Sequence, residues 1–424
     1  MKEDLIKKIF VASSSTFMEP QLFWFLVLTV PMKRELQVIL DGLYDIQDSE
    51  SDQEFSINAE ELFSSLSLES RIDYDAFLEY ILSEHFAFQE LNLHRSPRVI
   101  PLLETDKCRV MAHLWLDSVA DLHTHEWSGA FQIVSGTAVH CQYQFEPVDV
   151  IDDLLHIGNL KYIDSSSLGS GDIIRVLPGF KMVHGICHLP RPSLAISIRR
   201  RSSKYNSAYD ISGNVAMPTA ATPGDVKNFV TLVAASHAFS AEKGMNSTLN
   251  ILRSNPPYTN FVFLRRLGQL CVFSDEDYLK LLHQWGTCSK LNYKLSLSLL
   301  KQKRSQLFSL LWKYTQSLEQ RFFLALVFLL PDRSTIKEAI KRLKKVDADG
   351  YISSQLKWPD GIFGSTMPPF VSEVAQSLYE FSGDTSKVYG NLSFEMQKIY
   401  DTQDFDEFCN VLVQSKCLEV LIDA

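Results

Sequence analysis

Cysteine is scarce and unpatterned in this chain. There are seven in 424 residues, an odd number, widely spaced and with no CxxC pair. That excludes a disulfide framework, a zinc ribbon and a thioredoxin-like motif, and it sets the expectation of a reducing, cytoplasmic compartment. Cys108, Cys141 and Cys187 read as small buried hydrophobes. Long apolar runs are also missing. Residues 22–30 (LFWFLVLTV) and 322–330 (FFLALVFLL) reach about half the length of a membrane span and each stops at a proline, so buried helices are expected and no membrane partner. The first ten residues mix acids with lysines, which is not the pattern of a secretory signal.

The phosphate-binding and nucleophile motifs are absent as well. No GxGxxG, GxxxxGK[ST], GxSxG or HExxH occurs, so nucleotide-driven chemistry, serine hydrolysis and the zincin site have no residues to carry them. A formal net charge of -10 argues against wrapping a polyanion, and no nucleic-acid partner is expected. The basic run at 337–345 (KEAIKRLKK) is a local exception of the kind that ordinarily forms the solvated face of a helix.

What is present is histidine at informative spacing. Residues 123–136 read HTHEWSGAFQIVSG, and residues 178–188 read PGFKMVHGICH. Residues i and i+2 of a strand point to one side of a sheet, so a strand here presents the imidazoles of His123 and His125 together. His184, between a Pro-Gly turn and the strand-like SLAISIRR, is the natural third nitrogen. A lone histidine on an apolar strand is ordinarily a satisfied core residue. The weight rests on the joint pattern of HxH, Gly136, Gly171-Asp172, Pro178-Gly179 and His184 in this order. Three such ligands cap one face of an ion and leave the other open, as a reactive site requires.

These two stretches resemble the paired motifs of the cupin superfamily over about residues 99–202. The resemblance implies a small antiparallel β-barrel. The usual first motif has a Glu four residues after its second His, and Gly129 stands there in this chain. That leaves a three-His set similar to the one in thiol dioxygenases such as cysteine dioxygenase, with Fe(II) implied and other divalent transition metals as alternatives.

The flanks read as helix. Apolar residues recur at helical spacing before residue 98, most clearly around 59–66 and 72–88, where Tyr74, Phe77, Leu78, Ile81 and Leu82 form one stripe. In 109–117 the alternation sets Arg109, Met111, His113 and Trp115 against Val110, Ala112, Leu114 and Leu116, the mixed set facing the cavity. In 139–145 it sets Val139, Cys141, Tyr143 and Phe145 against His140, Gln142 and Gln144. A loop carrying Asp149, Asp152 and Asp153 follows. After a stretch rich in small residues, helices are expected at 225–237, 275–285, 293–312, 318–330, 335–345, 371–381 and 394–421. The fold class is therefore α+β, a central antiparallel β-barrel of cupin-like jelly-roll form between helical regions. Its expected divisions are a helical N-terminal region at 1–98, the barrel at 99–202, a linker at 203–224 and an all-helical domain at 225–424.

Three neutral ligands leave an Fe(II) ion with its full charge, which favours a small anionic substrate that chelates it, with dioxygen following. His123, His125 and His184 are the expected metal ligands. Arg109 is the first choice to hold a substrate carboxylate, with Arg175 and Arg199 as alternatives. Tyr143 is the candidate hydroxyl for an oxygen intermediate, and His113, Trp127 and Phe131 are the expected pocket wall. Two rival functions stay open: a Zn, Mn or Ni cupin isomerase, lyase or hydrolase, and a ligand-sensing cupin that presents a helical surface to a partner. Cupins often pair, which makes a homodimer one option.

Overall fold

The computed structural model describes residues 31–83, 98–116, 119–152, 154–201, 208–219, 223–357, 369–391, 409 and 420–422. The helical expectations at 22–30 and for most of 394–421 lie outside them. Among the described residues four helices precede the strands: α1 Pro31–Ile46, α2 Asp52–Leu66, α3 Leu68–Arg71 and α4 Tyr74–Ser83. Pro31 opens α1, a position where a missing N–H costs nothing. Helix α2 starts at a reciprocal cap. The Ser51 hydroxyl accepts from the Glu54 N–H at 3.1 Å, and the Glu54 carboxylate accepts from the Glu50 N–H at 2.6 Å. Its stripe of Phe55, Ala59 and Phe63 is fully buried.

Eleven strands follow: β1 Arg98–Glu104, β2 Cys108–Trp115, β3 Val119–His123, β4 Trp127–Ser135, β5 Ala138–Ile151, β6 Leu155–Leu168, β7 Ile173–Val176, β8 Val183–His188, β9 Ser193–Arg201, β10 Tyr209–Ser212 and β11 Val215–Pro218. One sheet runs β1-β2-β9-β4-β7, and the other six strands close into an antiparallel barrel in the order β10-β11-β6-β5-β8-β3. Trp115, Trp127, Phe131, Ile133 and Ala195 from the first sheet pack with Ala138, Leu168, Met182 and Ile186 from the second. The mixed polar and aromatic face of β2 turns inward. The aliphatic face, with Val110, Ala112, Ile196 and Ile198, packs under α1–α4. This division follows from burial: aliphatic side chains cost nothing against apolar helices, while imidazole and guanidinium need polar company.

Two expectations are corrected here. The segment 203–224 was expected as a linker, yet it carries β10 and β11, both part of the closed barrel. Four-residue strands are too short to display alternation. The acidic loop near Asp149 is instead the far end of a hairpin of two 14-residue strands, with bulges at Gln142/Tyr143 and Pro147/Asp149. Its residues 146–150 are exposed, so both strand faces there tolerate polar side chains.

Ten further helices follow the barrel: α5 Val226–Phe239, α6 Ala241–Ser254, α7 Pro257–Gln269, α8 Asp275–Gly286, α9 Lys290–Tyr314, α10 Leu318–Leu329, α11 Arg333–Lys344, α12 Ala348–Leu356, α13 Pro369–Glu380 and α14 Thr385–Asn391. Helices α6, α7, α12 and α14 lie outside the expected spans. The apolar run at 322–330 is α10, buried on every side between the outer face of β5 and β8 and helices α11–α13. Among the described residues no helix is long and apolar enough to cross a membrane.

Candidate metal centre

The sequence places HxH on one strand, but the structure divides it. His123 is the last residue of β3, and His125 sits in the connection to β4. The pair still converges because both sides of that connection are clamped. Thr124 donates its N–H to the Tyr209 carbonyl at 2.9 Å, and its hydroxyl accepts from the Tyr209 N–H at 2.9 Å. The His125 carbonyl accepts from the N–H of Gly179, in the Pro-Gly turn, at 2.8 Å. Strand β10 and the second motif thus hold the first motif in place. His184 arrives on β8 directly opposite His123 in register.

His123, His125 and His184 each offer one nitrogen, all within 4.8 Å of one another, and the group contains no carboxylate. The Nε2 atoms of His125 and His184 are 2.8 Å apart. Two nitrogens bound at about 2.1 Å and at right angles on an ion lie about 3.0 Å apart, so this spacing fits a divalent transition metal. The electrostatics agree. Burial holds His184 and His125 well below the ordinary imidazole range, and the neighbouring His123 ring pushes both further in the same direction, which favours neutral rings there. His184 is 2% exposed, and the other two are half-buried.

A fourth imidazole orients the third. His140 on β5 brings its Nε2 to 3.0 Å from His184 Nδ1, so His184 turns Nε2 toward the pair and Nδ1 toward His140. Sequence reasoning did not select His140. The alternation in 139–145 had separated it from the apolar face, and that inward parity was the available signal.

Trp127 and Phe131 lie where expected. The Trp127 ring is 4.5 Å from that of His125, and the Phe131 ring is 6.2 Å from that of His184. His113 is inside the barrel, its Nε2 2.9 Å from Ser197 Oγ and 2.6 Å from Arg199 Nη2. Arg109 and Tyr143 require correction. Arg109 shares the inner parity but sits at the exposed end of β2 in an ion pair with Glu104 at 2.6 Å. Tyr143 faces outward and donates its hydroxyl to the Leu329 carbonyl of α10. Arg175, an alternative to Arg109, pairs with Glu60 at 3.1 Å. Arg199, the other alternative, is the cation beside the site. Its guanidinium lies 4.6 Å over Trp127, its Nε donates to Ser197 at 2.8 Å, and burial lowers its pKa to about 10.

No family model and no curated protein matches this chain. Solved structures of similar shape include a protein with a double-stranded β-helix domain from Klebsiella pneumoniae, 19% identical, covering 31% of this chain and 90% of that one at a TM-score of 0.19. A cupin superfamily protein from Desulfitobacterium hafniense DCB-2 is 15% identical, covering 27% of this chain and 94% of that one at a TM-score of 0.18. A DMSP lyase from Ruegeria pomeroyi DSS-3 is 14% identical, covering 34% and 74% at 0.23. A hydroquinone 1,2-dioxygenase from Sphingomonas sp. TTNP3 is 8% identical, covering 29% and 72% at 0.21. The metal reading rests on this chain's own barrel and imidazoles.

Proposed function

We propose that this chain is a non-haem Fe(II) oxidoreductase of the cupin type, an oxygenase or dioxygenase that oxidises a small chelating organic anion. The observation that carries this reading is a set of three imidazoles without a carboxylate, beside the cation Arg199. Bound at His123, His125 and His184, an Fe(II) ion would supply a centre where substrate and dioxygen meet and exchange electrons.

The chain's own groups do the rest. Arg199, fixed by Ser197, His113 and the Trp127 face, offers a planar fork to a substrate carboxylate. Trp127 and Phe131 wall the site with apolar surface and keep water from it. His140 holds the His184 ring by its Nδ1, with Nε2 turned toward His125. Because imidazole suits zinc, manganese and nickel too, the alternative is Lewis-acid chemistry at the same three residues.

Elemental analysis after expression in defined medium, followed by oxygen uptake with small carboxylates, tests the proposal. About one iron per chain is expected, with loss of metal and uptake in His184→Ala. Turnover without oxygen would exclude the oxygenase and favour the Lewis-acid reading. Protein that holds no metal with all three imidazoles intact would end both.

A further inference from the structure

The barrel holds a second space that the metal centre does not use. A cavity of about 370 Å³ lies between α2, β5, β6, β7 and the turn at 179–181, and its lining includes none of His123, His125 and His184. It does include His140, which bonds the Nδ1 of His184, the nitrogen turned away from His125. The cavity therefore sits behind His184, one side chain removed from the ion's position.

We infer that this cavity is a second ligand site, shaped for a small hydroxylated carboxylate and linked to the metal centre through His140. Hydrogen-bonding capacity left unused by the protein is the first support. His140 is 4% exposed, and its Nδ1 makes no hydrogen bond among the described residues. The Gln142 amide and the Ser166 hydroxyl also line the cavity with no partner among them. A buried imidazole nitrogen is ordinarily satisfied, so His140, with the half-buried Gln142 and Ser166 lining the same space, points to an occupant that offers both donors and acceptors.

The charges select its sign. Glu60 is neutralised by Arg175 at 3.1 Å, and Asp164 by Arg342 of α11 at 2.5 Å. Lys181 is the remaining charged group of the lining and has no acidic partner among the described residues. One negative group on the ligand completes the balance, and its hydroxyls meet Gln142 and Ser166.

The link to the metal follows from tautomers. If His184 binds an ion through Nε2, its Nδ1 keeps the proton and donates to His140 Nε2. His140 must then carry its own proton on Nδ1, facing the cavity as a donor to a carboxylate or hydroxyl oxygen. Metal at one site thereby favours an anion at the other, and the coupling is reciprocal. This link rests on the three-His reading; the cavity site does not.

Calorimetric titration of the full chain with D-gluconate, metal-free and zinc-loaded, tests both parts. Saturable one-to-one binding is expected, weakened about tenfold in Lys181→Met and abolished in Ser166→Phe, which fills the cavity. Zinc stoichiometry should be unchanged in both variants. Lys181 is exposed, so its variant keeps the test decisive even if Ser166→Phe folds poorly. No saturable heat from wild type up to about 10 mM, or binding unchanged in Ser166→Phe, overturns the site. Zinc should tighten gluconate binding about threefold or more; equal affinity in the two forms overturns the link, while zinc stoichiometry judges the three-His reading on its own.

Discussion

Gly129 stands where a metal carboxylate is expected in related motifs, and its backbone shows why none can be there. Its φ is +149°, and a Cβ at this position would lie 1.9 Å from the Ile198 carbonyl oxygen. No side chain fits without parting β4 from β9, so the three-imidazole set is built into the sheet. The ligands were legible in the sequence because an i, i+2 pair and a turn-flanked histidine are local patterns. His140 was not singled out, and Arg199 stood only as an alternative to Arg109, because their placement comes from cross-strand neighbours that one sequence does not reveal. His188 supplies a prediction at this scale. It is buried, stacks on Trp115 at 4.3 Å, and burial lowers its pKa from 6.5 to about 3. The unfolded chain takes up a proton on this ring below about pH 6.5 that the folded chain refuses. Its contribution is therefore complete above that pH and is lost as pH falls toward 3, by about 1.4 kcal/mol per unit of pH. Urea midpoints of His188→Asn should fall less steeply than those of wild type between pH 6.5 and about 5. Equal slopes would contradict the assignment.

Elements with a clear period were readable, and those held together by remote pairing were not. The stripe of α2 and the apolar run of α10 announce helices because burial repeats every turn. Strands β10 and β11 are four residues each, and they exist because the barrel closes through them. That closure positions the site, since Tyr209 of β10 grips Thr124 between His123 and His125. Removing the Thr124 hydroxyl leaves a buried Tyr209 N–H unsatisfied and frees the connection between His123 and His125. Thr124→Ala should lose about 1–3 kcal/mol of stability and bind zinc about tenfold more weakly. Thermal unfolding and a competitive chelator titration check this; undiminished zinc affinity would show that β10 does not set the ligand spacing.

At the scale of the whole molecule, the barrel is wrapped by helices on both outer faces. Helices α1–α4 cover the five-stranded sheet, and α10–α13 cover β5 and β8. Helices α2 and α11 reach the cavity wall through Glu60–Arg175 and Arg342–Asp164. Apolar periodicity indicates helix on both flanks and the motif resemblance implies a barrel between them, while the positions of the helices against particular strands required coordinates. The central claim is that three imidazoles, two from one motif and one from a distant strand, meet around a single ion. Anomalous diffraction from crystals of the iron-loaded protein measures this most directly. The account predicts one strong peak about 2.1 Å from a nitrogen of each of His123, His125 and His184, absent in His184→Ala. A peak elsewhere, or a His184 ring that faces away from the pair in metal-loaded protein, would contradict it.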